Sequence, residues 1–144
     1  MTSSFQFDRY FQNHPLYGGC WCKDELTKKK PDGKFFIINL DDSSGPGTHW
    51  VCALDFLKQP LYVDPYGVYP PPEVEAFLSR SKRGRNAIYS MAQYQKLESK
   101  LCGPFCVKFI QEMLKKPGDL QAMDRGLTEY PSAKNERQMA KVKL

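Results

Sequence analysis

Cys102 stands in "KLCGPFC", residues 100–106, at the mouth of a segment whose apolar residues recur at helical spacing. Phe105, Phe109 and Met113 fall on one row, and Cys106, Ile110 and Leu114 on the next. Pro104 suits a first turn, where its missing N–H is no loss. Free N–H groups and partial positive charge at a helix N-terminus favour a thiolate, which makes Cys102 a candidate nucleophile. Plain core packing is the competing role for a free cysteine, and it is the reading for Cys106 one turn further on.

A nucleophile needs a base, and the chain has two histidines. His14, just before Pro15, suits a capping or solvent-facing role. His49, in "GTHWV", follows a Gly-Pro-Gly turn and opens a strand. Asp64, in "YVDPYG", closes the next strand. A hairpin would bring the two together, with the carboxylate holding one ring nitrogen; an Asp before Pro also forms turns on its own. Thiol, imidazole and carboxylate are the nucleophile, base and orienter of covalent acyl transfer. The remaining part is a donor for the developing oxyanion. Gln95, seven residues before Cys102, can supply it beside the Cys102 N–H, with Gln93 as a rival.

Elements must carry these groups to one place. "TSSFQFDRYFQNHP" predicts a short helix capped at Ser3 or Ser4, and "LYGGCWCKDELTKKKPDGK" reads as a loop. "KFFIINL" reads as a buried strand, and "THWVCALDF" and "PLYVDPYG" as an antiparallel pair. A short helix from "PPPEVEAFLSRS", a strand from "NAIYSMAQY" and the long helix from Cys102 follow. The expected fold is α+β, a single domain over 1–144 with a central mixed or antiparallel sheet flanked by helices. Residues 117–144 are polar enough to be a loosely packed C-terminal extension.

Composition narrows the class further. The chain has 144 residues and a formal net charge of +5, with 9 Phe, 8 Tyr and 2 Trp, too aromatic for a disordered polymer. No apolar run is long enough to span a membrane, and the first residues lack a secretion signal, so the five cysteines are expected as thiols in a reducing compartment. Cys20 and Cys22 lack the usual zinc spacing, and no metal is expected. "SRSKRGR" concentrates Arg80, Lys82, Arg83 and Arg85 in one loop, either a solvated turn or a nucleic-acid contact.

Taken together, "GTHWV", "VDPYG" and "QKLESKLCGPFC" resemble the motifs of the adenain family, the maturation proteases of adenoviruses and their relatives in other viruses and virus-like transposons. The family has Gly-x-His-Trp, then a carboxylate before Pro-aromatic-Gly, then Gln seven residues before Cys-Gly-x-Phe-Cys. His49, Asp64, Gln95 and Cys102 match position by position over a resemblance covering roughly residues 16 to 114. It implies a cysteine-protease fold permuted relative to papain, and a monomer cleaving viral capsid or core precursors near small residues such as Gly-Gly. It also implies a place in the virion and host cell interior, with no cofactor needed for the chemistry and DNA as an activator. The chain departs from the family in using Asp for Glu and in having no cysteine between the Asp64 and Gln95 motifs, where adenain couples a peptide cofactor by disulfide. Two other functions remain open to the sequence. One is a deconjugating peptidase for ubiquitin-like modifiers, and the other a non-catalytic, basic nucleic-acid-binding domain.

Overall fold

Apolar strands whose alternate side chains are all buried need cover on both faces, and this chain supplies helices for each. The computed structural model describes residues 2–83 and 86–144. Its strands are β1 (Tyr17–Cys22), β2 (Phe35–Asn39), β3 (Trp50–Leu54), β4 (Leu61–Val63) and β5 (Ile88–Ser90). Its α-helices are α1 (Ser4–Tyr10), α2 (Pro72–Ser79), α3 (Cys102–Lys115) and α4 (Ala133–Ala140). The five strands form one mixed sheet in chain order, with β1–β2 and β4–β5 parallel and the central pairs antiparallel. The fold is the expected single α+β domain.

The two-residue period of the strands sorts the core into two layers. Phe35, Ile37, Cys52, Leu54, Leu61 and Val63 face α3, which contributes Phe105, Cys106, Phe109, Ile110 and Met113. Phe36, Ile38, Val51, Ala53 and Tyr62 face α2, which contributes Val74, Phe77 and Leu78. Each of these buried Leu, Ile, Val or Phe side chains contributes about 1.5–3 kcal/mol relative to exposure. Among the described residues no helix is long and apolar enough to cross a membrane.

Local chemistry explains the ends. Ser3 caps α1 in a reciprocal capping box with Gln6. Pro72 opens α2 at a position that needs no N–H. One segment differs from the expectation. Tyr17–Cys22 is an edge strand rather than a loop, interrupted by a bulge between Tyr17 and Cys20 and continued by a 3-10 turn over Lys23–Leu26. Gly19 at φ +106° makes that bulge, so the glycines that suggest a loop serve a kinked strand. The polar segment 117–144 packs through sparse apolar residues, with Ala122, Met123, Leu127 and Met139 all buried in the α3 layer.

Gly67, in the turn after Asp64, has φ +72°, and a Cβ there would lie 2.7 Å from the Met91 carbonyl oxygen. Gly67→Ala is therefore expected to lower stability by about 1–3 kcal/mol in chemical denaturation. An unchanged denaturation midpoint would show that the turn relaxes freely.

Candidate active site

The β3–β4 register pairs Cys52 with Val63, so the start of β3 and the end of β4 lie at the same edge of the sheet. His49 immediately precedes β3 and Asp64 immediately follows β4. The N-terminus of α3 arrives at this edge too, where the Trp50 N–H donates to Cys102 Sγ at 3.4 Å. Three groups far apart in sequence thus converge because one hairpin and one helix end there.

His49 Nε2 meets Asp64 Oδ1 at 2.6 Å. Asp64, 1 % exposed, also accepts the Tyr66 N–H at 2.7 Å on the same oxygen. The Tyr66 ring stacks on the imidazole with centroids 4.3 Å apart and planes 14° from parallel, fixing its tilt. Nδ1, the nitrogen left for the thiol, is buried and lacks a formed hydrogen bond among the described residues. Burial alone would disfavour the imidazolium, but Asp64 and Cys102 outweigh it and push the His49 pKa up to about 9. The ring is then a cation at neutral pH, suited to pair with a thiolate. Because the shift is upward, the stability it brings is fully present below 6.5 and is lost as pH rises through about 9.

The same shift sets an expected pH profile. Activity that needs protonated His49 should fall on an alkaline limb near pH 9. Asp64→Asn removes the carboxylate that holds the proton, so the limb of kcat/KM should move to lower pH. A limb in the same place would mean that another group titrates.

Cys102 is 1 % exposed and occupies the first position of α3. The first N–H groups of a helix have no intrahelical acceptor, and Leu101 offers no side-chain cap. The Cys102 N–H is therefore free to face an oxyanion. Gln95 is fully buried, and its Nε2 donates to the Ser99 carbonyl at 3.0 Å. An amide NH2 carries a second proton for another acceptor. Its Oε1 has no partner among the described residues. Gln93 instead donates to the Gln95 carbonyl at 3.1 Å, a local backbone tie. The segment is tied to the residue after the acid: the Tyr94 and Gln95 N–H groups both donate to the Pro65 carbonyl, at 2.9 and 3.0 Å. The Tyr66 hydroxyl reaches the Leu97 and Ser99 carbonyls at 3.1 and 3.3 Å. The sequence reading does not single out Tyr66, although "DPYG" places an aromatic two residues after the acid, where it stacks on the imidazole.

Other candidates fall elsewhere. Cys106 is buried and donates to the Trp50 carbonyl at 3.4 Å, with burial pushing its thiol well up. His14 Nδ1 accepts the Leu16 N–H. The Arg80 guanidinium is committed to the fold, donating to the Lys29 and Leu26 carbonyls at 2.7 and 2.6 Å rather than standing free for phosphate. Arg83 reaches the Leu57 carbonyl at 3.4 Å, and Lys82 is exposed. Arg85 lies outside the described residues. Among the described residues no group of three or more His, Cys, Asp or Glu could hold a metal ion.

A groove of about 560 Å³ runs up to Trp50, lined by Cys20, Trp21, Asn39 and the turn Gly45–Gly47. A slightly larger cavity of about 590 Å³ lies around Leu57, Leu61 and Ile88, and none of the four site residues lines either space; the groove reaches the site only through Trp50, whose N–H meets Cys102.

No protein-family model and no curated protein matches the chain. Solved structures do. The crystal structure of the ASFV pS273R protease superposes with a TM-score of 0.62 over 94 % of this chain at 12 % identity. The chain spans 63 % of that protein's length. The selenomethionine crystal structure of the same protease gives a TM-score of 0.57 over all of this chain and 68 % of the other, at 16 % identity. The α+β domain built around Cys102, His49 and Asp64 therefore has a cysteine-protease fold, shared with a viral protease.

Proposed function

We propose that this protein is a cysteine endopeptidase of the adenain type that cleaves viral precursor proteins beside small residues. The observation that carries the reading is the junction of the His49–Asp64 pair with a thiol at a helix N-terminus. In the proposed reaction Cys102 Sγ attacks the scissile carbonyl carbon, having given its proton to His49 Nδ1. The carbonyl oxygen becomes an oxyanion held by the Cys102 N–H and the second Gln95 N–H. His49 returns the proton to the leaving amine as the C–N bond breaks. Water then adds to the thioester with His49 as base, and the carboxylate product and the thiol are released.

Burial supports the choice of substrate. With Cys102 1 % and His49 9 % exposed, the scissile carbonyl must approach closely, which favours residues without bulky side chains on either side of the bond. The groove beside Trp50 gives an extended peptide a path toward the site.

An electrophilic Gly-Gly peptide probe tests the reading. It should label Cys102 alone among the five cysteines, and labelling at Cys20 or Cys22 instead would overturn it. Parallel assays on Gly-Gly peptides and on folded ubiquitin-like conjugates separate precursor processing from deconjugation. Peptide turnover with and without DNA tests activation by nucleic acid, for which exposed Lys82 supports a contact and inward-turned Arg80 does not.

A further inference from the structure

Gln95 lies in a segment without regular structure, yet an oxyanion donor must be held within a fraction of an ångström. Something outside the segment has to hold it. The Pro65 carbonyl oxygen accepts from both the Tyr94 and the Gln95 N–H, which fixes one side. The other side faces α4. There Asn135, fully buried, donates from Nδ2 to the Tyr94 carbonyl at 3.1 Å. The next residue, Glu136, accepts the Lys96 N–H on Oε2 at 3.2 Å. Consecutive residues of one helix thus hold the backbone immediately before and immediately after Gln95.

We propose that α4 is the positioning element of the oxyanion site, with Asn135 and Glu136 as positioning residues that act through Gln95. The inference rests on the peptidase reading for its catalytic consequence, but the clamp itself does not. Asn135 is well suited to the task because it is anchored on its own account. Its N–H is capped by Ser132 Oγ at 3.1 Å, and its Oδ1 accepts the Thr128 N–H at 2.7 Å. The Glu136 side chain makes no hydrogen bond other than that to Lys96 among the described residues, and its N–H keeps the Ser132 carbonyl whatever the side chain, so truncation disturbs little else. Met139, on the same helix, is buried in the α3 layer and fixes the height of α4 over the segment.

Glu136→Ala in the full chain is the primary test. Amide hydrogen exchange at Gln95 and Lys96 should accelerate while the α3 amides stay protected. In Gly-Gly peptide hydrolysis kcat should fall about tenfold to a hundredfold, with KM changed less than about twofold. Alkylation of Cys102 by iodoacetamide passes through no oxyanion and should keep the parent rate. Glu136→Gln retains an acceptor for the Lys96 N–H and should restore kcat. In a Gln95→Ala background the Glu136→Ala loss should vanish, because the group being positioned is gone. Asn135→Ala should show the same kcat signature, and Glu136→Ala carries the test if Asn135→Ala fails to fold.

Unchanged exchange at Gln95 and Lys96 in Glu136→Ala would overturn the clamp. So would an equal kcat loss in the Gln95→Ala background, or a parallel fall in alkylation. Accelerated exchange in Glu136→Ala, with a parent that hydrolyses no Gly-Gly peptide, would support the clamp while overturning the peptidase reading.

Discussion

Cys102→Ala is expected to lower peptide hydrolysis by about 10⁴- to 10⁶-fold while leaving the fold intact. The variant deletes one sulfur from a buried position whose polar contact is the Trp50 N–H, so the packing loss is small. Cys106→Ala is the matched control. It removes the same atom one helical turn away, from a thiol that donates to the Trp50 carbonyl and faces the core. It should melt at a somewhat lower temperature and keep substantial activity. Turnover assays on the two proteins decide the matter, and the opposite ranking would move the nucleophile to Cys106.

His49→Ala should be nearly as damaging, because nucleophile and base act as a unit and their losses do not add. The double variant with Cys102→Ala should therefore be no slower than either single one. Unlike the cysteine change, this one should also cost stability. Asp64 is 1 % exposed, and without the imidazole it keeps only the Tyr66 N–H among the partners described above. Leaving a buried carboxylate without its cation costs about 3–5 kcal/mol in comparable cases. A denaturation curve and a turnover assay on His49→Ala should thus both shift. Full activity in this protein would remove His49 from the site.

The parts that the sequence discloses are those whose signal is local. β2, β3 and β4 are legible because their residues are apolar without interruption, and α3 because Phe105, Phe109 and Met113 keep helical spacing. The His49–Asp64 meeting is legible because a short antiparallel connection leaves few other arrangements. β1 is not, since it is an edge strand of half-buried residues whose kink requires a glycine. The role of Arg80 is equally hidden. A run of basic residues shows charge, not which carbonyls a guanidinium will find across the fold. Asn135 and Glu136 sit in a polar stretch, and their contacts with the segment around Gln95 span about forty residues.

The division of the core into two layers has an evolutionary consequence. Trp50 and Cys52 point into the layer that contains Cys102, whereas Val51 and Ala53, their neighbours on the same strand, point into the layer beneath α2. Lineages can therefore exchange side-chain volume among Phe36, Val51, Tyr62 and Phe77 and drift far in sequence while the reacting groups stay in place. Divergence should accumulate on that hidden side first, leaving the α3 side as the slower clock of the two.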